Sequence, residues 1–100
     1  MREFKNQHDL FDHLWNTREH ISELSGKPLL PKTDYRWIWQ FLHCLPKGTY
    51  PKYKLNPENI ILALPDEHTN QEQYQVYNDK KLALTREYYA RYYGKVFDED

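Results

Sequence analysis

Apolar residues recur at helical spacing early in the chain and at alternate positions in its middle. Leu10, Phe11, Leu14 and Trp15 fall on one side of a helix over residues 7–20, with Asp9, Asp12, Asn16 and Glu19 elsewhere, which predicts an amphipathic first helix. Gly26, Pro28 and Pro31 make residues 22–31 a region of turns. Over residues 34–45, Tyr35, Trp37, Trp39 and Phe41 alternate with Arg36, Ile38, Gln40 and Leu42. This period of two predicts a strand with His43 on its aromatic face, and Trp37 and Trp39 read as core in preference to a base-stacking pair. Pro46, Gly48, Pro51 and Pro57 predict a loop, and the run NIILAL at 59–64 a buried strand. Pro65, Asp66 and Glu67 read as the start of a helix running to Tyr93, where Gly94 stops it. Tyr74, Tyr77, Leu84, Tyr88 and Tyr92 would be its buried stripe, and the acidic tail FDED would fray.

The order helix, turn, strand, loop, strand, long helix predicts an α+β fold. One hundred residues suffice for one core and not two, so residues 1–100 read as a single domain. Within it, residues 1–20 form the first helix, 21–77 the central unit, and 78–100 a helical extension with the tail. The single cysteine, Cys44, rules out an intrachain disulfide and a four-cysteine zinc site. No apolar run approaches the roughly 20 residues of a membrane span, and the N-terminus lacks a signal-peptide pattern, so the expected location is the cytoplasm. The net charge of −1 hides an asymmetry: residues 24–57 carry six Lys and Arg against Asp34 alone. Nucleic acid could therefore be held only through a local patch built on Arg36, Lys47, Lys52 and Lys54; the competing reading is a solvated basic loop.

Three residues carry candidate chemistry. His43 closes the first expected strand, Asn59 opens the second, and His68 lies in the first turns of the last helix, with fifteen residues between the first two and eight between the second two. A helix packed back across a hairpin could bring all three together. Alone, each has a plainer reading: a packed or surface histidine, or a turn residue at the head of a strand. His8, His13 and His20 share no ligand spacing and are assigned no role. The text FLHCLPKGTYPKYKLNPENIILALPDEH resembles the HNH (ββα-metal) nuclease family, particularly small phage HNH proteins and phage recombination nucleases of the NinG type.

That resemblance, covering residues 21–77, implies a ββα-metal core of a hairpin and a helix. It implies a metal-dependent endonuclease that hydrolyses DNA phosphodiester bonds with little sequence preference or by DNA structure, encoded by a phage and acting in the bacterial cytoplasm. His43 would be the base that activates water and His68 a ligand to one divalent cation (Mg2+, Mn2+, Ni2+ or Zn2+). Asn59 would either ligate the ion or pin the loop that carries the base, and Lys47, Lys52, Lys54 and Arg36 would hold flanking phosphates. Two positions depart from the pattern. Leu42 stands where many relatives have an Asp or His ligand, leaving Asp66 or Glu67 as substitutes. Ser22, Ser25, Leu64 and Glu67 stand where many relatives have two Cys-x-x-Cys knuckles around a structural zinc. No structural zinc is expected; Leu24, Leu29, Trp37, Leu62 and Leu64, packed against the long helix, would supply that stability. The alternative expectation is an inactive HNH-fold protein that binds nucleic acid or inhibits a host protein. The tyrosine-rich last helix offers a face for a homodimer.

Overall fold

The computed structural model describes residues 3–94. Helix α1 spans Gln7–Thr17, its first turn closed by Asn6, whose Oδ1 accepts from the Asp9 amide at 2.9 Å. It buries Leu10, Phe11, Leu14 and Trp15, the four residues that the spacing selects. It ends before His20 because Arg18 turns extended and carries its guanidinium away to the carbonyls of Ile60 and Pro57, at 2.6 and 2.8 Å. His20 instead stacks on Trp15, with ring centroids 3.7 Å apart.

The expected strand over 34–45 is mostly not a strand. Asp34 Oδ1 accepts from the Arg36 amide, the chain turns, and Trp37–Gln40 forms a short 3₁₀-helix. Only Phe41–His43 is extended, as β1. The buried Gln40 side chain explains the break: its Oε1 accepts from the Leu30 amide at 2.7 Å and its Nε2 donates to the Leu30 and Trp37 carbonyls. A carboxamide held this way fixes a turn where a pleat would otherwise run. The aromatics therefore divide at helical spacing, with Trp37 and Phe41 buried while Tyr35 and Trp39 are 78% and 53% exposed.

Strand β2 spans Ile60–Leu62 and pairs antiparallel with β1 in the register Phe41 to Leu62, Leu42 to Ile61, His43 to Ile60. Ala63 extends the ladder by donating to the Gln40 carbonyl. This hairpin is a wall with a core on each face, which is why β2 reads as an unbroken apolar run. On one face Phe41, Ile60 and Leu62 join α1, Phe4 and Trp37, with Phe11 and Phe41 stacked at 4.1 Å. On the other, Ile61, Ala63, Cys44, Leu45 and Tyr53 meet Tyr77, Leu84 and Tyr88.

The last expected helix is two pieces. Pro65–Gln73 is a 3₁₀ segment with a break at Asn70 (φ −120°, ψ 17°), Tyr74 is extended, and helix α2 runs Gln75–Tyr93 to a left-handed Gly94 (φ 62°). The stretch TNQEQ offers no apolar side chain to anchor a helical face, so side-chain bonds such as Asn78 Nδ2 to the Glu72 carbonyl take over. Helix α2 buries Tyr77, Leu84 and Tyr88, with Tyr74 and Tyr92 half-buried beside them. Trp37, Leu62 and Leu29 pack toward α1 rather than α2, and Leu24 alone of the expected packing set joins the α2 core. The architecture is a small α+β layout, two helices flanking a two-stranded hairpin. The FDED tail lies outside the described residues. None of the described helices is long and apolar enough to cross a membrane.

Candidate functional site

Asn59 sits at the mouth of the hairpin and is wholly buried. Its Oδ1 accepts from the Leu45 amide at 2.7 Å, and its Nδ2 donates to the carbonyls of Leu45 and Tyr53 at 3.0 and 3.3 Å. Its own carbonyl accepts from the Cys44 amide. The carboxamide is thus spent tying the start and the middle of the 44–58 loop, at Leu45 and Tyr53, to the head of β2. Of the two roles the resemblance allows, this geometry matches a loop pin: the wholly buried carboxamide bonds the loop backbone through both Oδ1 and Nδ2.

The pinned loop carries Lys47, Lys52 and Lys54, all exposed. His43, half-buried at the end of β1, places Nε2 3.2 Å from the Lys54 carbonyl. A carbonyl only accepts, so Nε2 bears the proton and Nδ1 of the neutral ring keeps its lone pair. Burial pushes the His43 pKa below its usual value, the Lys54 carbonyl opposes this, and the Lys47 charge adds to it. A neutral ring with a lone pair is the state a general base needs near pH 7. Next to this loop a cleft of about 290 Å3 is lined by Lys5, Asn6, Gln7, Lys47, Lys54 and Leu55. Lys5 was not legible as part of the site, since it lies 39 or more positions from the loop and only the packing of α1 brings it near.

His68 is elsewhere. Its ring lies by the carbonyls of Ala63 and Gln40, at the opposite end of the ladder from His43. Gln40 and His43 are three positions apart, roughly 10 Å at the usual strand rise. Burial is the main cause that lowers the His68 pKa, and its Nε2 is shielded from solvent without a hydrogen-bond partner. Leu42, between the two histidines, packs into the α2 core. Arg36 precedes β1 at the far end from the lysine loop and is held by Asp34 at 3.1 Å. The structure brings His43, Asn59 and the three lysines to one end of the hairpin and leaves His68 and Arg36 at the other.

For a divalent ion, the donor set is thin. Among the described residues no group of three or more His, Cys, Asp and Glu side chains is arranged to hold a metal. His68 stands outside any such group, its ring packed by the Ala63 and Gln40 carbonyls and its Nε2 shielded from solvent. Glu67 is engaged through one oxygen: its Oε1 accepts from Ser22 Oγ at 2.6 Å and from the Leu64 amide at 2.9 Å, and its Oε2 is shielded from solvent. Ser22 Oγ in turn accepts from the amides of Leu24 and Ser25. The four positions that match the zinc knuckles of HNH proteins do converge, and they converge on a buried carboxylate. Burial alone would raise the Glu67 pKa, but the hydroxyls of Ser22 and Ser25, the Leu64 amide and the Lys27 charge outweigh it and hold the carboxyl below its ordinary range.

A comparison of the chain with known protein families, with curated proteins and with solved structures found no match.

Proposed function

We propose that this protein acts on the phosphodiester backbone of DNA as an HNH-type endonuclease, with His43 as the base. The observation that carries this reading is the orientation of His43. Its Nε2–H is committed to the Lys54 carbonyl, and the neutral ring retains Nδ1 beside a loop of lysines. Lys47 and Lys54, with Lys5, would hold phosphates on either side of the scissile bond. His43 Nδ1 would take the proton of a water attacking phosphorus, and the 3′ oxygen would leave with a proton from solvent. Asn59 would act by position, holding Lys54 and its carbonyl where they orient the ring. His68, where the resemblance would place a divalent ion, lies at the other end of the hairpin with Nε2 shielded from solvent, so charge neutralisation on this phosphate would fall to Lys47, Lys54 and Lys5.

The packing of Leu42 into the apolar core favours a second reading, a nucleic-acid-binding scaffold without hydrolysis. Nicking of supercoiled plasmid with Mg2+, Mn2+ or Ni2+ separates the two. Under the first reading wild type nicks and His43→Ala does not; equal activity removes His43 from the mechanism, and inactivity of wild type with retained DNA binding selects the second. The sign of the pH dependence follows from the depressed His43 pKa. Single-turnover nicking should rise as pH climbs through a value below 6.5 and stay level above it. A rate still climbing steeply from pH 7 to 8 is inconsistent with His43 as the base.

A further inference from the structure

The positions that the HNH resemblance gives to a divalent ion are used otherwise here. The Asn59 carboxamide holds the loop backbone, Leu42 packs into the α2 core, and Glu67 Oε1 takes the Ser22 hydroxyl. His68 lies at the other end of the hairpin. What stands near His43 is the positive charge of lysines. Lys5, Lys47 and Lys54 line one cleft of about 290 Å3 with Asn6, Gln7 and Leu55, and no carboxylate is among the described residues that line it. His43 is tied to this cleft through Lys54, whose carbonyl accepts from Nε2 at 3.2 Å, and the Lys47 charge acts on the ring.

A bound divalent ion does two things in phosphodiester cleavage. It makes a strong nucleophile of water at neutral pH, and it balances the charge that grows on the phosphate. Ammonium groups fixed in a cleft do the second. They do not turn water into hydroxide. RNA removes that need, because the ribose holds a 2′-hydroxyl next to the phosphorus. A well-placed intramolecular nucleophile has an effective concentration of about 10⁵ M or more. A neutral imidazole is base enough for such a hydroxyl.

We propose that this site also cleaves single-stranded RNA, without a metal ion, by transfer of the phosphoryl group to the 2′ oxygen. His43 Nδ1 takes the 2′-hydroxyl proton, the 2′ oxygen bonds to phosphorus, and the bond from phosphorus to the 5′ oxygen breaks. The 5′ oxygen leaves with a proton from water, and His43 returns its own to solvent. The products are a 2′,3′-cyclic phosphate and a 5′-hydroxyl end. Lys5, Lys47 and Lys54 balance the charge on the phosphate between these events. The strand is unpaired because the 2′ oxygen, phosphorus and 5′ oxygen must come into line, and a regular A-form helix holds them out of line. The proposal rests on the reading of His43 as the base and adds to it a substrate class and a metal-free reaction.

Denaturing gels of an end-labelled, unpaired RNA oligonucleotide incubated with the full chain in excess EDTA test this. Wild type should cleave the strand, leave 2′,3′-cyclic phosphate ends in mass spectra, and spare a fully 2′-O-methylated copy of the same sequence. His43→Ala, purified in parallel, should be at least about a hundredfold slower. The double variant Lys47→Ala, Lys54→Ala keeps the carbonyl that orients His43 and loses two ammonium groups. It should be slower by about tenfold or more, with an unchanged thermal melt. Absence of cleavage in EDTA, cleavage of the 2′-O-methylated strand, or a rate equal to wild type in His43→Ala overturns the proposal. Plasmid nicking with a divalent ion is read separately. Nicking without RNA cleavage removes the ribonuclease reaction and spares the DNA reading; RNA cleavage without nicking upholds the first and removes the second.

Discussion

Replacing Ser22 with Ala should destabilise this fold far more than its small size suggests. Ser22 is 2% exposed and its hydroxyl donates at 2.6 Å to the carboxylate of Glu67, a residue 5% exposed. The same oxygen accepts from the amides of Leu24 and Ser25 at 3.2 Å. A hydrogen bond to a charged group contributes about 1.5–3 kcal/mol, and a buried carboxylate that loses a donor is left undersatisfied. The expected cost is about 2–3 kcal/mol at pH 7, which in a domain of this size lowers Tm by roughly 10 °C or more.

Glu67→Gln isolates the charge. The Glu67 carboxyl titrates below its ordinary value of 4.5 in the folded chain, so its contribution is fully present above pH 4.5 and is lost as pH falls through the lower, folded value. Urea melts of wild type, Ser22→Ala and Glu67→Gln from pH 7 to pH 3 read all of this out. The stability gap between wild type and Glu67→Gln should narrow on acidification. A Ser22→Ala cost below about 0.5 kcal/mol, the range of an unimportant surface change, would refute the claim that this cluster staples the turn region to the hairpin. So would parallel pH curves for wild type and Glu67→Gln.

Three further outcomes follow from the same geometry. Asn59→Ala removes three buried hydrogen bonds and orphans the Leu45 amide, so it should cost about 3 kcal/mol in urea melts and abolish nicking with it. Trp37→Ala should cost about 3–5 kcal/mol, whereas Trp39→Ala, at a position 53% exposed, should stay within about 0.5 kcal/mol; equal effects in thermal melts would contradict the division of the aromatics. The combined Ser22→Cys, Ser25→Cys, Leu64→Cys and Glu67→Cys variant should bind one Zn2+ per chain, measured by metal analysis after gel filtration, because the four positions already meet around Glu67. Recovery of metal-free variant would mean that their spacing does not suit a tetrahedral ion.

Local pattern made much of this fold legible. The face of α1, the buried run at β2, the proline-marked loop and the glycine stop after Tyr93 are settled by periodicity and backbone preference, which act over a few residues and stand in the sequence. The grouping of His43 and Asn59 at one hairpin mouth was legible for the same reason, since both flank one loop.

What needed the tertiary structure were the places where a distant partner outweighs local preference. Gln40 turns an alternating aromatic run into a 3₁₀-helix because its carboxamide finds Leu30. Arg18 ends α1 because its guanidinium reaches the carbonyls of Pro57 and Ile60. His68 stays with Gln40 and Ala63 because the 3₁₀ segment after β2 docks there, and spacing along the chain cannot tell which end of a hairpin a following segment will meet. Ser22 and Glu67, 45 positions apart, acquire their meaning only together. A buried polar group takes whichever partner the packed chain brings within 3 Å, and that choice belongs to the whole fold rather than to any stretch of sequence.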